Sequence, residues 1–272
     1  MSPTSQRYRE RPSRLDGSVV WTLDAPSGPR PEEARSVLPD GCMDLIWTAG
    51  RLVVAGPDTR AFRVDPRTNG PCAAVRFGPG TAPVLLGVPA HELRDRRVEL
   101  AELWPRTTVA AVTGRIGRAA DPATALEEFA LARAAETGPP DPLTTAVADR
   151  LRRGGSVADT AAEVGLGARQ LHRRSLAAFG YGPKTLARVL RLQRALALVR
   201  TGLPYADAAH AAGCADQAHL AREMRALAGT TLGAYFTPGG APAPGEEAPG
   251  EAAGEAGANS DTPQPSGSST TA

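Results

Sequence analysis

An internal repeat in the second half of the chain constrains the fold more than any other feature. Residues 157–166 align with residues 205–214, 48 positions later, and share two alanines, an aspartate and a glycine. Past the glycine the offset is 49, and the recurring pairs are Leu171 with Leu220, Arg173 with Arg222, and Gly180 with Gly229. Similarity at a fixed spacing predicts two copies of one structural unit.

Each copy has the composition of two short helices joined by a tight turn. The alanines allow close helix packing, Gly165 and Gly213 can adopt the left-handed backbone of the turn, and the leucines anchor the second helix. This pattern predicts a helix-turn-helix unit, whose second helix enters the major groove of DNA. Between the copies, residues 184–200 form an amphipathic pattern that predicts a linker helix. It would set the recognition helices about one DNA turn, or ~34 Å, apart.

The charge distribution agrees with a polyanionic partner. Residues 151–236 hold 12 basic and 5 acidic side chains, residues 1–150 hold 19 of each, and residues 237–272 hold five acidic and no basic ones. Arginine and lysine bind nucleic acid by neutralising phosphates and releasing counterions. Because arginine is abundant throughout and Lys184 is the only lysine, base composition of the genome is an alternative source of part of this bias.

Residues 142–236 resemble the DNA-binding domain of AraC-type transcriptional regulators. The resemblance is carried by GLGARQLHRRS at 165–175, GCADQAHLAREM at 213–224, Gly182-Pro183, and Arg191-Leu192 with Ala195 in the linker helix. The sequence departs from the family pattern where aromatic residues or proline are usual, at Ser175, Cys214, Met224 and Leu232. The resemblance implies double-stranded DNA as a partner, and it adds RNA polymerase as a candidate partner.

The resemblance also implies which side chains face DNA. The candidate base-contacting residues are Arg169, His172 and Arg173 in the first recognition helix and Gln217, His219 and Arg222 in the second. Arginine pairs with guanine and glutamine with adenine. For Arg173 and Arg222 a phosphate contact or an internal ion pair is an equal alternative, and both histidines also fit surface or core positions. Lys184, Arg191 and Arg194 are candidate phosphate contacts.

Residues 8–105 predict a small, mostly antiparallel β domain. Five β-prone runs follow one another about ten residues apart, at 19–23, 42–47, 52–54, 62–64 and 74–77. Residues 48–51 predict a hairpin connection. The segments LPDGCMDLIW (38–47), AGPDT (55–59), VRFGPG (75–80) and LLGVPAHELRD (85–95) resemble an uncharacterised domain found ahead of such helix-turn-helix regions. The resemblance implies that this domain senses a small molecule or mediates homodimerisation.

A sheet of this size can enclose one small ligand. The candidate lining residues are Trp21, Trp47, Phe62, Arg76 and Phe77. Each also fits an ordinary core position, and Arg76 also fits a salt bridge.

Other functional classes find less support. HELRD at 91–95 lacks the second histidine of a zinc-hydrolase motif, FGPGT at 77–81 lacks the lysine of a phosphate loop, and no GxSxG is present. Asp40, Asp44, Asp58 and Glu92 would form a carboxylate site only if folding gathered them. A thiol or metal sensor built on Cys42, Cys72 and His91 is a minor alternative. We therefore expect no enzyme activity, cofactor or bound metal.

The sequence thus predicts an α+β chain in four parts. These are the β domain at 8–105, a helical connector at 106–141, an all-α DNA-binding domain at 142–236 and a disordered acidic tail at 237–272. The chain has no apolar run long enough for a membrane span, and its polar, basic start does not resemble a secretion signal, so a cytoplasmic location is expected.

Overall fold

The structure is a computed structural model that describes residues 8–24, 35–64 and 70–237. The predicted tail lies outside this range apart from Thr237. The strands are β1 (Tyr8–Pro12), β2 (Val19–Leu23), β3 (Arg35–Val37), β4 (Met43–Thr48), β5 (Arg51–Ala55), β6 (Phe62–Val64), β7 (Cys72–Phe77) and β8 (Arg97–Glu99). Six of them form an antiparallel sheet in the order β1-β2-β7-β4-β5-β8, and β3 pairs with β6 in a second, two-stranded sheet.

Four α-helices build the core of the large sheet, the first between β7 and β8 in the chain and the other three after β8. They are α1 (Thr81–Leu86), α2 (Leu100–Leu103), α3 (Arg106–Arg118) and α4 (Pro122–Thr137). The buried side chains of α4, among them Leu126 and Phe129, pack against residues of β7 such as Val75 and Phe77. One face of the sheet is therefore covered by helices, as expected for an α+β fold.

Alternation along the strands separates the two faces of the sheet. On β7, Val75 and Phe77 belong to the helix-covered core, whereas Ala74 packs with Trp21 on the opposite face. Arg76 stands between core residues and faces the same side as Ala74, because successive side chains of a strand point to opposite faces.

The predicted hairpin at residues 48–51 is confirmed. Thr48 pairs with Arg51, and the two residues between them, Ala49 and Gly50, have φ values of 46° and 74°. Positive φ at both central positions is the geometry of a type I′ turn, whose twist matches that of the flanking strands. Five of the eight strands coincide with the predicted runs, and β1, β3 and β8 were not predicted.

The last part of the described chain is entirely helical. Its helices are α5 (Pro142–Arg152), α6 (Val157–Glu163), α7 (Ala168–Phe179), α8 (Pro183–Arg200), α9 (Tyr205–Ala211), α10 (Gln217–Ala228) and α11 (Leu232–Phe236). An Asp-Pro pair starts both α4 and α5, where Asp121 accepts a hydrogen bond from the Ala123 N–H and Asp141 accepts one from the Leu143 N–H. The fold class follows the prediction.

Helix α8 is the shared core of this region. Leu186 and Leu190 pack with α5 and α7 around the first unit, whereas Leu192 and Leu196 pack with α9 and α10 around the second. One rigid helix therefore holds both helix-turn-helix units. Within the described residues, no helix combines the length and apolar character needed to cross a bilayer.

Ser175 and Met224, which stand where AraC-type domains usually have an aromatic residue, are both buried. Met224 is fully buried, and Ser175 is 1% exposed. The Ser175 Oγ has no hydrogen-bond partner among the described residues. A buried hydroxyl without a partner has lost its bonds to water without replacement.

We expect Ser175→Ala to raise the free energy of unfolding by about 1 kcal/mol, because the substitution removes this desolvated hydroxyl. Thermal unfolding of the full chain measures the effect. Ser156→Ala is the matched control, since the Ser156 Oγ caps α6 by accepting a hydrogen bond from the Asp159 N–H at 3.0 Å. That control should lose about 1 kcal/mol. A loss of stability in Ser175→Ala would show that the hydroxyl has a partner in solution.

Candidate DNA-binding surface and ligand cavity

The two helix-turn-helix units have turns of the same construction. The turn glycines have φ values of 64° in the first unit and 83° in the second. The N–H of Leu166 donates to the Ala161 carbonyl at 2.9 Å, and the N–H of Cys214 donates to the Ala209 carbonyl at 2.8 Å. This six-to-one hydrogen bond past a left-handed residue is the Schellman pattern of helix ends. The repeat in sequence is therefore a repeat in backbone geometry.

The first recognition helix, α7, has one buried and one exposed face. Leu171, Ser175 and Phe179 are buried. The three predicted DNA-facing residues, Arg169, His172 and Arg173, are exposed. The His172 ring lies over Gly182, where an added Cβ would come within 2.7 Å of its Cε1. The structure thus gathers these three residues on the outer side of α7.

The second recognition helix, α10, starts at Asp216, which accepts a hydrogen bond from the His219 N–H at 2.6 Å. Gln217 and Arg222 are exposed, as on α7. His219 differs, because its Nδ1 accepts a hydrogen bond from the Ala215 N–H at 3.2 Å and its Nε2 lies 3.7 Å from Glu223. Both ring nitrogens have partners inside the unit, so a DNA contact by His219 stays a prediction.

The repeat alignment reveals one more exposed residue that the resemblance did not single out. Gln170, near the start of α7, occupies the position of His219 in α10 and is exposed. Conversely, Arg169 and His172 correspond to Ala218 and Ala221. The two helices therefore present different side chains from the same backbone positions, which would give each its own base preference.

The three candidate phosphate contacts lie in different environments on α8. Lys184 is exposed at its start, and Arg191 is half-buried. Arg194 donates hydrogen bonds to the backbone carbonyls of Arg152, at 2.7 Å, and Ala212. Burial, followed by repulsion from Arg191, lowers the pKa of Arg194. Arg194 thus connects the end of α5 with the second unit, and its phosphate contact stays a prediction.

An ion pair that the sequence did not indicate fixes α10 to α8. The Arg188 Nε lies 2.9 Å from a carboxylate oxygen of Glu223, whose side chain is 13% exposed. Because Arg188 lies on α8 and Glu223 on α10, this pair limits how α10 can move relative to the linker helix.

A cavity of about 170 Å³ lies over the face of the large sheet that the helices leave uncovered. It is lined by Trp21, Leu23, Val37, Asp44, Ile46, Thr48, Ala55, Phe62, Val64, Gly70, Cys72, Arg76 and Arg97. Three of the five predicted lining residues, Trp21, Phe62 and Arg76, are among them. Trp47 and Phe77 instead pack in the core on the opposite face of the sheet. Each is adjacent along its strand to a residue that faces the cavity, and adjacent side chains of a strand point to opposite faces.

Two arginines with three carboxylate partners stand at the polar side of the cavity. The Arg76 Nε lies 3.3 Å from Asp44 and 3.4 Å from Asp40. Arg97 binds both carboxylate oxygens of Asp58, at 2.6 and 2.7 Å, and its guanidinium carbon lies 3.7 Å from the centre of the Phe62 ring. Burial raises the pKa of Asp44 and of Asp58, although the neighbouring arginines act in the opposite direction and lower it.

The residues of the minor alternatives lie in unfavourable surroundings. Burial raises the pKa of the Cys42 thiol well above its usual value, which disfavours the reactive thiolate. Cys72 lines the cavity, and His91 is exposed. Within residues 8–24, 35–64 and 70–237, no group of three or more metal-ligating side chains could hold a metal ion. Of the four candidate carboxylates, Asp40 and Asp44 meet, and they do so around Arg76.

Two family models match the chain. Residues 160–237 match a helix-turn-helix domain, and residues 18–99 match a domain of unknown function, DUF6597. The first match covers the second repeat unit and all but the first three residues of the first, and the second match covers most of the large sheet and its cavity. No curated protein is significantly similar to the chain in sequence.

Solved structures of ToxT from Vibrio cholerae are similar over most of the chain. The crystal structure from strain O395 is 10% identical, covers 84% of this chain and 96% of that chain, and has a TM-score of 0.43. That of unsaturated fatty acid bound ToxT from strain SCE256 is 12% identical, covers 86% and 96%, and has a TM-score of 0.40.

The motifs, the duplicated turn geometry and the family match agree over the same residues. Domains of this kind bind DNA and regulate transcription. Residues 160–237 are therefore a helix-turn-helix domain of the AraC type, and residues 18–99 match the domain of unknown function DUF6597.

Proposed function

We propose that the chain is a sequence-specific regulator in which α7 and α10 contact successive major-groove segments of one DNA site. The observation that carries this proposal is the pair of exposed polar faces that follow two turns of the same geometry. Because α8 packs in the core of both units, it would keep the two faces at a fixed separation. A fixed separation favours DNA sites with a fixed spacing between half-sites.

Some exposed residues of the recognition helices would contact bases and give specificity, whereas others would contact phosphates and give affinity. Arg169 and Gln217 lie at the starts of the two recognition helices, and their side chains can each form two hydrogen bonds with a base edge. Arg173 and Arg222 occupy equivalent exposed positions, and within the described residues neither forms an ion pair. This favours contacts with DNA phosphates over an internal role.

We further propose that the domain at 8–105 senses a small ligand in the cavity over its sheet. Aromatic and aliphatic walls with a few charged groups at one side are typical of small-molecule sites. Homodimerisation through this domain and contact with RNA polymerase stay predictions, as do the boundaries of the connector at 106–141 and of the DNA-binding domain at 142–236.

We expect Arg169→Ala to reduce discrimination at one base position by about 1–2 kcal/mol, because the bidentate pair with a base is lost. Arg173→Ala should instead weaken binding to all sequences alike, because phosphates carry no sequence information. Fluorescence anisotropy on a selected DNA site and its single-base variants measures both effects.

Arg115→Ala, an exposed arginine of α3 outside both units, is the matched control and should leave DNA affinity unchanged. If Arg169→Ala weakened every sequence equally, a base-contacting role for Arg169 would be wrong.

A further inference from the structure

Three segments of the β domain lie against the helices α5–α11. They are called the contact segments below and are residues 38–41, 56–61 and 90–96. Two of them reach the ends of the recognition helices. The Arg94 guanidinium donates a hydrogen bond to the carbonyl of Gly180, at the end of α7, at 3.3 Å. The Ala61 N–H donates to the carbonyl of Leu227, in the last turn of α10, at 2.7 Å. Because the last carbonyls of a helix have no partner within it, the β domain caps both recognition helices.

The first contact segment lies on the linker helix between these two ends. Leu38 is 4% exposed and packs in the core of the second unit with α8 residues such as Leu192. The Gln193 Nε2 donates a hydrogen bond to the Pro39 carbonyl at 2.7 Å. A side chain of the β domain is therefore part of the core of the second helix-turn-helix unit.

The other two contact segments are hydrogen-bonded to each other, which fixes the two capping donors relative to one another. The Gly56 N–H donates to the Arg96 carbonyl at 2.9 Å. The Asp95 N–H donates to the Pro57 carbonyl at 3.1 Å. In return, the Asp95 carboxylate accepts hydrogen bonds from the Thr59 N–H, at 2.7 Å, and from the Thr59 hydroxyl. One connected part of the β domain thus holds the ends of α7 and α10.

The contact segments lie away from the candidate DNA-facing side chains. These side chains are exposed in the first half of each recognition helix, and they are Arg169, His172, Arg173, Gln217 and Arg222. The capped carbonyls lie at the other end of helices that are 12 residues, or about 18 Å, long. A domain that blocked DNA binding would cover the DNA-facing side chains, so this arrangement favours positioning of the helices over blocking.

We infer that the β domain fixes the relative position of the two recognition helices and thereby sets the spacing between half-sites that the protein selects. This inference rests on the proposed function, which is binding of a two-part DNA site. Leu38, Ala61 and Arg94 are then positioning residues that act without touching DNA. Two linked modules bind a two-part site most tightly when their separation matches it, and a pair held in advance loses less freedom on binding.

Leu38→Ala tests the inference by removing a contact with the second unit. Anisotropy on the full chain compares three DNAs, which carry both half-sites at the selected spacing, both half-sites two base pairs further apart, or one half-site. Two base pairs turn one half-site by ~70° and move it by ~7 Å, so the unaltered chain should bind the lengthened site about 30-fold more weakly. In Leu38→Ala this ratio should fall to about 3-fold, with the affinity for one half-site unchanged.

Leu45→Ala is the matched control for lost stability. Leu45 is 3% exposed in the core of the large sheet, and the substitution opens a cavity there without altering a contact segment. The spacing ratio should stay at about 30-fold in this variant.

Asp95→Gly tests the connection between the contact segments at an exposed position, without a change to any core. It removes the hydrogen bonds from Thr59, and glycine readily adopts the φ of 58° that Asp95 has. The spacing ratio should again fall to about 3-fold. Asp95→Asn should restore it, because the amide oxygen can still accept from the Thr59 N–H and asparagine tolerates a left-handed backbone.

Hydrogen exchange separates positioning from blocking. The Ala61 amide should be protected in the free chain and stay protected on the selected DNA, because its hydrogen bond belongs to the DNA-binding conformation. If peptides covering residues 59–62 exchanged faster when DNA was added, the contact would be one that DNA breaks, and the inference would be wrong.

The two variants also separate failure of the inference from failure of the proposed function. If the unaltered chain selects a two-part site but both Leu38→Ala and Asp95→Gly keep its spacing ratio, or lose affinity for one half-site as strongly as for the whole site, the inference alone fails. If the unaltered chain selects no two-part site, the proposed function fails and exchange decides whether the β domain holds the helices. Faster exchange at residues 59–62 in Leu38→Ala would then sustain the fixed position, and unchanged exchange would overturn it.

Discussion

Gly180→Ala is expected to lower the free energy of unfolding by about 3 kcal/mol, whereas Gly229→Ala, the same change in the second unit, lowers it by about 1 kcal/mol. Both glycines end a recognition helix with positive φ, 80° and 67°, so both substitutions carry the strain of a left-handed alanine. The expected difference between them comes from their surroundings.

Gly180 lies against the β domain at 8–105. An added Cβ would come within 2.5 Å of the Pro57 ring and 3.2 Å of the Ala90 carbonyl, and Arg94 donates a hydrogen bond to the Gly180 carbonyl at 3.3 Å. A Cβ at Gly229 would meet no atom within 4 Å. Because a proline ring and a backbone carbonyl cannot swing away, α7 must shift off the domain in the Gly180 variant.

Thermal unfolding of the full chain, followed by calorimetry, measures both variants. The Gly180 variant should also lose cooperativity between the two halves of the chain, because the contact that joins α7 to the β domain is weakened. Equal losses in the two variants would mean that α7 does not rest on the β domain in solution.

Glu127→Gln is expected to lower the free energy of unfolding by about 2–3 kcal/mol at neutral pH. The Glu127 side chain is 2% exposed on α4 and accepts hydrogen bonds from the Arg11 Nη2 at 2.9 Å, the Ser13 Oγ at 2.8 Å and the Arg14 N–H at 2.7 Å. The glutamine would remove the charge on which these three donors converge, and would place its own N–H₂ group among them.

The same carboxylate makes stability depend on pH. Burial alone would raise the pKa of Glu127, but the hydrogen bonds from Arg11, Arg14 and Ser13 lower it to about 2, from an ordinary value of 4.5. A lowered pKa in the folded state stabilises the protein fully above the unfolded value, and this stabilisation is lost as the pH falls from about 4.5 towards 2.

Chemical denaturation between pH 3 and pH 6 checks this dependence. Glu127→Gln should lose the part of the slope that comes from Glu127, whereas Glu128→Gln, at the exposed neighbouring position, should keep it. A Glu127→Gln profile parallel to that of the unaltered chain would contradict the assigned pKa.

The sequence predicted those elements whose conformation depends on residues that are close together in the chain. Residues 48–51 carry the preferences of a two-residue hairpin, and Asp121-Pro122 carries those of a helix start, so both were predictable. The repeat located both helix-turn-helix units because its turn glycines and buried leucines recur at fixed offsets. Alternation alone could also have shown that Arg76 and Phe77, being adjacent on β7, cannot face the same cavity.

Contacts between distant segments carried no such signal. Nothing near Pro39 in sequence indicates that its carbonyl accepts a hydrogen bond from Gln193. The same holds for Arg194, whose basic charge on an amphipathic helix suggested a phosphate contact, although its guanidinium donates to two backbone carbonyls. Partners of this kind depend on how whole elements pack.

We propose that the two recognition helices on one linker helix bind a two-part DNA site. Selection from genomic fragments with the purified full chain, followed by anisotropy titration at several salt concentrations, tests this mode of binding. We expect two half-sites about ten base pairs apart, a preference of about 1,000-fold over scrambled DNA, and affinity that falls steeply with salt. Equal affinity for scrambled DNA, or affinity independent of salt, would contradict the account.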